Sequence, residues 1–558
     1  MIRSIGWLMA SFRLALLLVA CSKLAASDEP DRGFLLRDVG VETGIREHLA
    51  GIRGHAAAWG DVDGDGWLDL WVGAFAGDDT KPSILLLNRE GTFEPARDEI
   101  LRLLGCASGA VFADLDNDGD VDLYVSNVSK DRGPPGSDAT NRLFRNDGEG
   151  RFVEVSARAG LSPQGLKGRS VAVLDFDGDG LLDLAVGEDH AYGAKRRSRL
   201  FRNKGDLRFE DATEDAGLPD ELCGLGVAAG DLDGDGWPDL LFAGRDASNV
   251  IFLNDGHGRF REAPGSRDAL AWRFTTGDDF ACGAALGDLD GDGRLDVVLG
   301  QHFKRPWIDP VPVRAWVQRD AAGGTLVLEE ITDRAGLVPL PMKAPHIEVE
   351  DFDNDGRIDV STSIIKLAAG KASPVVFEGE GLRDGLPRFR AHALDWNDFP
   401  TADDQATRST GEFFEKMLRD RKIDYAAAGP VADFDRDGRL DILFVSWWKD
   451  QPSFLFRNET PSGRWLDVSV RGTKGVNRMG VGAIVRVYRS GRLGVPSGLL
   501  GARGISIGRG YASGQAPIAH FGLGDVETVD VEVILPHGKG RIERRGVRAN
   551  ERILLEGP

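Results

Sequence analysis

The sequence predicts an all-β protein: a seven-bladed β-propeller over residues 34–460, followed by a small β-sandwich over 464–556. Three observations lead there. Seven acidic loops of one form recur along the chain, each lies between short β-type segments, and 73 glycines supply the turns that many short strands require.

The loops are GDVDGDGWLDL from Gly60, ADLDNDGDVDL from Ala113, LDFDGDGLLDL from Leu174, GDLDGDGWPDL from Gly230, GDLDGDGRLDV from Gly287, EDFDNDGRIDV from Glu350 and ADFDRDGRLDI from Ala432. Their first aspartates are spaced by 53, 61, 56, 57, 63 and 82 residues. Each follows D-x-D-x-D-G-x-x-D, with carboxylates at positions 1, 3, 5 and 9. These are Asp61, Asp63, Asp65 and Asp69; Asp114, Asp116, Asp118 and Asp122; Asp175, Asp177, Asp179 and Asp183; Asp231, Asp233, Asp235 and Asp239; Asp288, Asp290, Asp292 and Asp296; Asp351, Asp353, Asp355 and Asp359; and Asp433, Asp435, Asp437 and Asp441. Four carboxylates, a backbone carbonyl at position 7 and a turn glycine at 6 make an oxygen-only set suited to calcium, with up to seven structural ions expected. An EF-hand needs a glutamate at position 12 between two helices. Here that position holds Val72, Val125, Val186, Phe242, Leu299, Thr362 and Phe444, and flanks such as AVFA and DLYV are too short and β-rich for helices. A solvated acidic turn explains one such loop but not seven alike.

Around each loop the unit repeats in order. A small-residue strand such as VAAG (Val227 to Gly230) enters, DLLFAG (Asp239 to Gly244) leaves, and strands like RLFRN (Arg142 to Asn146) and RFVEVSARAGL (Arg151 to Leu161) follow. Four strands per 55–60 residues fit a propeller blade and far exceed a nonapeptide β-helix repeat. The piece FLLRDVGVETGI (Phe34 to Ile45) matches a fourth strand and precedes the first loop, so it is expected to complete the seventh blade and leave no open edge. In the tail, AIVRVY (Ala483 to Tyr488) and VDVEVIL (Val529 to Leu535) alternate as sandwich strands do.

A net charge of -21 disfavours nucleic acid or an anionic membrane as partner. Arg3 and Arg13, then the apolar run Leu14 to Ala20, read as an export signal over residues 1–20, too short for a permanent membrane helix. The tetrapeptide Leu18-Val-Ala-Cys21 resembles the lipobox of bacterial lipoproteins, which implies acylation of Cys21, a membrane contact only through that anchor, and display at the cell surface or outer membrane. Cleavage near Leu24-Ala-Ala-Ser27 with simple secretion is the alternative. Cys106, Cys223 and Cys282 offer neither a disulfide framework nor a zinc spacing.

The repeats resemble the FG-GAP or VCBS repeats of integrin α-chains and many bacterial secreted proteins, whose calcium loop has this form. The segments WLDVSVRG, NRMGVGAIVRVY, GRGYASGQAPIAHFGLG and VDVEVILPHG, between Trp465 and Gly538, are similar to the ASPIC/UnbV domain. A propeller followed by that domain is the arrangement of the cartilage acidic protein family, which implies calcium binding and extracellular display but no settled reaction. Two departures stand out: Leu535-Pro-His-Gly where the family more often has Trp-Pro-Ser-Gly, and Arg436 at position 4 of the seventh loop, usually Gly or Asn.

With every acidic loop joining the first two strands of a blade, the remaining connections fall on the opposite face, where a protein or glycan ligand is expected. His55, Ser108, Arg169, Leu225, Cys282, Pro345 and Ala427 should approach the central channel, and Phe75, Asn127, His190, Arg245, Gln301, His302, Lys366, Trp447 and Trp448 should stand on that face. So should the long connections Asn127 to Thr140, Glu188 to Ser198 and Gln301 to Arg314. Ser409 and Glu412 suggest a capping box opening a short helix, with Phe413, Phe414, Met417 and Leu418 in one stripe over the channel mouth. No nucleophile elbow, phosphate-cradling loop or His-x-x-x-His pair occurs, so a binding module is expected rather than an enzyme. The alternative is a lyase or cyclase at the channel mouth, with His55 as base, Arg169 as anion clamp and Cys282 as nucleophile.

Overall fold

Small residues crowd the strand that enters each acidic loop, as in GHAAAWG, ASGAVFA and ACGAALG, because these strands stand closest to the axis of a ring. A Cβ on Gly109 would lie 1.9 Å from the Arg169 carbonyl oxygen of the neighbouring sheet, and one on Gly226 would lie 2.1 Å from that of Cys282. Glycine alone permits so close an approach. The computed structural model describes residues 33–75, 80–128, 140–161, 166–188, 198–244, 249–271, 281–303, 306–319, 326–367, 374–393, 409 and 412–557. The expected export signal, Cys21, His190, Arg245 and most of the connections 127–140 and 188–198 lie outside them.

Six antiparallel sheets of the order 1-2-3-4 follow one another, beginning at Gly54, Ala107, Gly168, Gly226, Ala281 and Ile347. A seventh combines Val431–Ala432, Asp441–Phe444 and Phe454–Asn458 with the N-terminal strand Leu36–Asp38, which pairs with Phe454–Asn458. The last sheet meets the first: Gly54 N–H donates to the Ser446 carbonyl at 2.8 Å, and Val39, Ala57 and Trp59 share an apolar cluster with Phe434, Leu443 and Val445. The fourth strands are shorter than expected. Phe152–Glu154 gives way to the helical turn Ser156–Ala159, which Gly160 ends at φ +77°. Residues 45–49, 266–269 and 332–335 form the same kind of turn after their strands.

A polar chain ties the sheets together around the ring. The Asp at position 9 of each loop is buried and accepts two backbone N–H groups, one from loop position 2 and one from the end of the third strand. For Asp69 these are Val62 at 2.9 Å and Asn88 at 2.7 Å, and for Asp239 they are Leu232 at 2.7 Å and Asn254 at 2.8 Å. The asparagine at that strand end then reaches into the preceding sheet. Asn146 Nδ2 donates to the Val62 carbonyl, Asn203 to Leu115, Asn254 to Phe176, Asn458 to Phe352 and Asn88 to Phe434, all at 2.6–2.8 Å. Gln318 and Gly379 stand at the equivalent place in the fifth and sixth sheets.

The C-terminal part has two sheets with one shared core. Arg464–Arg471 lies between Ile518–Gly524 and Glu551–Glu556, while Ile484–Arg489 lies between Leu499–Gly504 and Thr528–Ile534, with Arg541–Arg548 at the edge. Val468, Val485, Phe521 and Val531 join one cluster that continues into the second and third propeller sheets through Val111 and Val173. Residues 34–558 thus form one compact unit.

Residues 505–517 leave this part and enter the propeller channel. Ile507 bridges to Val173, Gly510 bridges to Ala284, and Ser513–Gly514 pairs in parallel with Ala57 and Ala58 of the first inner strand. Gly508 and Gly510 take φ of +76° and +74°, and a Cβ on Gly508 would meet the Val171 carbonyl oxygen at 1.9 Å. Tyr511, at the tip, packs with Leu225, Cys282, Ala427 and Ala428. The channel is therefore filled by the chain itself.

On the far side, the predicted helix spans Phe413–Arg419. Glu412 is its N-cap with no side-chain cap bond, so the expected capping box does not form. Phe413 and Met417 are buried against Ile365 and Ile423, with Leu418 and Trp307 alongside, so the stripe is packing surface. The side chain of Phe414 lies outside the described residues.

Two substitutions probe this arrangement. Asn254→Ala leaves the buried Phe176 carbonyl without its side-chain donor and should cost about 1–3 kcal/mol in urea titration. Tyr511→Ala should cost about 3 kcal/mol as other large aromatic truncations do, and unfolding should change from one transition to two; a single unshifted transition would show that the channel segment does not couple the parts.

Candidate metal centres

The acidic loops fold the same way because their aspartates bond their own backbone. In the first loop, Asp61 Oδ2 accepts the Gly66 N–H at 3.0 Å, Asp63 Oδ1 accepts that of Asp65 at 3.4 Å, and Asp65 Oδ1 accepts that of Trp67 at 2.9 Å. The fourth loop repeats these bonds from Asp231, Asp233 and Asp235 at 3.0, 3.2 and 2.8 Å. Carboxylate oxygens left over converge. Those of Asp61, Asp63 and Asp69 lie within 4.8 Å of one another, as do those of Asp114, Asp116 and Asp118; Asp175, Asp177 and Asp183; Asp231, Asp233 and Asp239; and Asp288, Asp290 and Asp296. In the sixth and seventh loops, Asp351 Oδ2 and Asp433 Oδ2 accept the N–H of Gly356 and Gly438 at 2.8 and 2.7 Å, which repeats the turn closed by Asp61.

Burial makes this costly. It pushes Asp69 and Asp122 up to about 8, Asp114, Asp175, Asp288 and Asp433 up to about 7, and Asp231 and Asp355 up to about 6, with neighbouring carboxylates adding to the rise. Asp183, Asp239, Asp296, Asp359 and Asp441 are pushed well above the usual carboxylate range for the same reason. Among the described residues, Asp61 Oδ1, Asp114 Oδ1, Asp177 Oδ1, Asp290 Oδ1 and Asp435 Oδ1 are buried with no hydrogen-bond donor. A divalent cation is the partner that this oxygen-only donor set fits. Arginines brace the rim: Arg89 bonds Asp63 and Asp65 at 2.8 and 2.7 Å, Arg202 bonds Asp177 at 2.7 Å and Arg319 bonds Asp290 at 3.0 Å.

The C-terminal part sits on these loops. His520 links Asn354 of the sixth loop to Asp467, both at 2.7 Å, and Arg552 pairs with Asp433 of the seventh. Arg478 N–H donates to Asn117 Oδ1 of the second loop at 2.9 Å. The unusual His537 has a purpose here: its Nε2 lies 2.9 Å from the Asp175 carbonyl oxygen, its N–H donates to the Gly236 carbonyl, and its ring packs on Trp237. It therefore clasps the third and fourth loops. Arg436 takes φ +61° at position 4 as Asn117 and Asn354 do at +58°, and its guanidinium lies over the Trp67 ring of the first loop.

His55, Arg169 and Cys282 do converge near the axis, but around Tyr511. The Tyr511 hydroxyl lies 3.3 Å from His55 Nε2 and 3.5 Å from Arg169 Nη1, and all three residues are at most 5% exposed. Burial, with Arg169 and Arg53 nearby, holds His55 well below its usual range and so neutral. These residues anchor the channel segment, which corrects their expected placement at an open mouth. Ser108 and Pro345 likewise serve the ring, the Ser108 hydroxyl donating to the Gly168 carbonyl and the Pro345 carbonyl accepting the Gly283 N–H.

Much of the expected ligand face is also packed. Phe75, Asn127, Gln301, Lys366 and Trp448 are buried. Gln301 Nε2 bonds the Met342 carbonyl at 2.7 Å, and Trp448 Nε1 bonds that of Ile423 at 2.8 Å. Trp447 stacks among His55, Phe75 and Tyr425, and His302 lies 3.5 Å from Lys343 Nζ. Sequence reading missed Tyr511, His346 and the strand-end asparagines. The asparagines do carry a signal, since Asn ends the LFRN, FLN and LLN segments that follow the loops. Tyr511 and His346, which meet through Tyr511 N–H and His346 Nδ1 at 2.8 Å, carry none at 165 residues apart.

Comparison with known proteins agrees with this architecture. The FG-GAP-like repeat family matches residues 61–125, 134–186, 188–242 and 231–299, and the ASPIC and UnbV family matches 472–558. Cartilage acidic protein 1 of Mus musculus is 26% identical over 506 residues, covering 86% of this chain and 70% of that protein. The Homo sapiens protein is 26% identical over 510 residues, covering 86% and 68%. Integrin alpha pat-2 of Caenorhabditis briggsae is 26% identical over 239 residues, 38% of this chain and 19% of that one. The chain is an FG-GAP-repeat protein with a C-terminal ASPIC and UnbV domain, similar to the cartilage acidic proteins.

Proposed function

We propose that this protein is an exported, calcium-stabilised binding module of the adhesion type, which recognises a protein or glycan on the face opposite its acidic loops. The observation that carries the calcium reading is the set of buried carboxylate oxygens without donors in five loops. Asp61, Asp63, Asp65 and Asp69, and their counterparts in the other loops, would hold the ions, and the ions would supply charge neutralisation at the tip of each blade. The likeness to integrin alpha pat-2 and cartilage acidic protein 1 supports an adhesion-type role. The C-terminal domain already covers the loop face, which favours the other face of the ring for a partner. Among the described residues no helix is long and apolar enough to cross a membrane. The leader and Cys21 favour a lipid anchor, and loss of palmitate labelling in Cys21→Ser tests it. Burial of His55, Arg169 and Cys282 around Tyr511 favours binding over a lyase or cyclase reaction.

Calcium removal should lower the melting temperature sharply, since each site filled at a hundredfold excess over its dissociation constant contributes about 2.7 kcal/mol. Equal melting curves for metal-free and calcium-loaded protein would refute the assignment. In the metal-free protein Asp69 and Asp122 hold protons in the folded state that the unfolded chain releases near the ordinary carboxylate pKa. Their contribution is whole below about pH 4 and is lost as pH rises toward about 8. Urea midpoints in chelator should therefore fall between those limits, whereas with calcium, which competes with those protons, they should rise. A glycan and surface-protein array probed with calcium present and then withdrawn tests the partner; signal that survives replacement of residues 129–139 and 189–197 would place the partner elsewhere.

A further inference from the structure

We propose that the cleft between the fourth and fifth acidic loops and the C-terminal domain binds a small hydroxylated oxyanion, a sugar sulfate or phosphate ester. The cleft encloses about 350 Å³, room for a monosaccharide-sized ligand. Four arginines line it: Arg294 from the fifth loop, Arg486 and Arg503 from the two adjacent C-terminal strands, and Arg541 at the rim. Two carboxylates line the same wall, Asp231 and Asp235, and Arg294 also pairs with Asp292; all three are loop positions that a cation would neutralise. To that extent the inference rests on the calcium reading.

The orphaned atoms specify the ligand. Among the described residues, Nε of Arg294, Arg486 and Arg503 is buried and has no hydrogen-bond acceptor. Arg503 is 9% exposed, and its nearest carboxylate oxygen, on Glu350, is 3.9 Å away, beyond hydrogen-bond reach. Arg486 neighbours the Tyr488 hydroxyl and pairs with no carboxylate among the described residues. Arg541 is exposed and bonds Glu532 at 2.8 Å, which leaves part of its guanidinium fork for a ligand at the mouth. Three unused donors on planar cations suit an oxyanion.

The same wall carries one orphaned acceptor, Oε1 of Gln318, 6% exposed and without a donor among the described residues. Gln318 occupies the strand-end place where five other sheets have an asparagine bonded to the preceding loop. Its longer side chain is not among the bonds of that ring and borders the cleft instead. An oxyanion with a neighbouring hydroxyl satisfies both kinds of orphan at once, accepting from the arginines and donating to Gln318. The larger cavity of about 390 Å³ beside the first, second and seventh loops also has an Nε without an acceptor among the described residues, on Arg509, but its Arg509 and Arg552 are paired with Glu350, Asp433 and Asp467, and its orphaned acceptors, on Asp61 and Glu350, are carboxylates that repel an anion.

The test is calorimetric titration of the full chain with glucose 6-sulfate, glucose 6-phosphate, inorganic sulfate and glucose, with calcium occupancy measured separately by equilibrium dialysis. One ester should bind more tightly than inorganic sulfate, glucose should not bind, and the tighter ester identifies the anion. Arg486→Gln should weaken binding about tenfold, as loss of a charge-assisted bond does. The exposed Arg541→Gln should weaken it with an unchanged melting temperature, so the result stands even if Arg486→Gln is poorly folded. Gln318→Leu should abolish the preference for the ester over sulfate. Absence of oxyanion binding at millimolar concentration, whatever the calcium content, overturns the proposal, as does equal binding by folded Arg486→Gln and Arg541→Gln. Oxyanion binding by protein that dialysis shows to hold no calcium supports the cleft and counts against the calcium reading alone.

Discussion

The fold depends on burying aspartate. At position 9 of every acidic loop a carboxylate lies inside the protein and accepts two backbone N–H groups, so it closes its own loop and fastens the third strand of its sheet. The strand-end asparagine then reaches across to the loop before it. One side chain thus couples turn, sheet and ring, and the same geometry crowds three further carboxylates beside it. That is favourable only where positive charge compensates, from cations at the centre or from arginines such as Arg89, Arg202 and Arg319 at the rim.

The acidic loops are also where the second half of the molecule attaches. His520, Arg478, His537 and Arg552 each meet a different part of the loop face, by imidazole, backbone N–H or guanidinium. Arg552 meets a carboxylate directly, His537 meets the Asp175 carbonyl with that residue's carboxylate 3.7 Å from its Nδ1, and Arg478 N–H meets the neutral side chain of Asn117. Loop order and domain docking are in this way linked, since a loop that loses its shape also loses the surface on which the C-terminal sheets rest.

The channel segment adds a second, independent attachment. Ser513–Gly514 adds a short parallel strand to an inner strand, and Tyr511 fills the axis among His55, Arg169 and Cys282. Residues of types common in catalysis here serve packing. A neutral buried imidazole beside a tyrosine hydroxyl is a core contact closed to solvent.

Sequence alone determined what is local and repeated. The nine-residue spacing of the aspartates fixes a turn whose hydrogen bonds lie within the loop, and the alternation of apolar strands around it fixes a sheet, so the blades and the N-terminal strand Leu36–Asp38 were legible from pattern. Arg436 and the Leu535-Pro-His-Gly segment stood out by departing from that pattern, although only the structure shows His537 gripping the third and fourth loops. Tertiary structure decided which residues are free to act. Tyr511 and His346 are 165 residues apart, and Arg294 and Arg486 belong to different folds of the chain, so no period or spacing connects them. The physical reason is that contacts within a turn depend on a few backbone torsions, whereas the closing of the channel depends on where an entire second domain comes to rest.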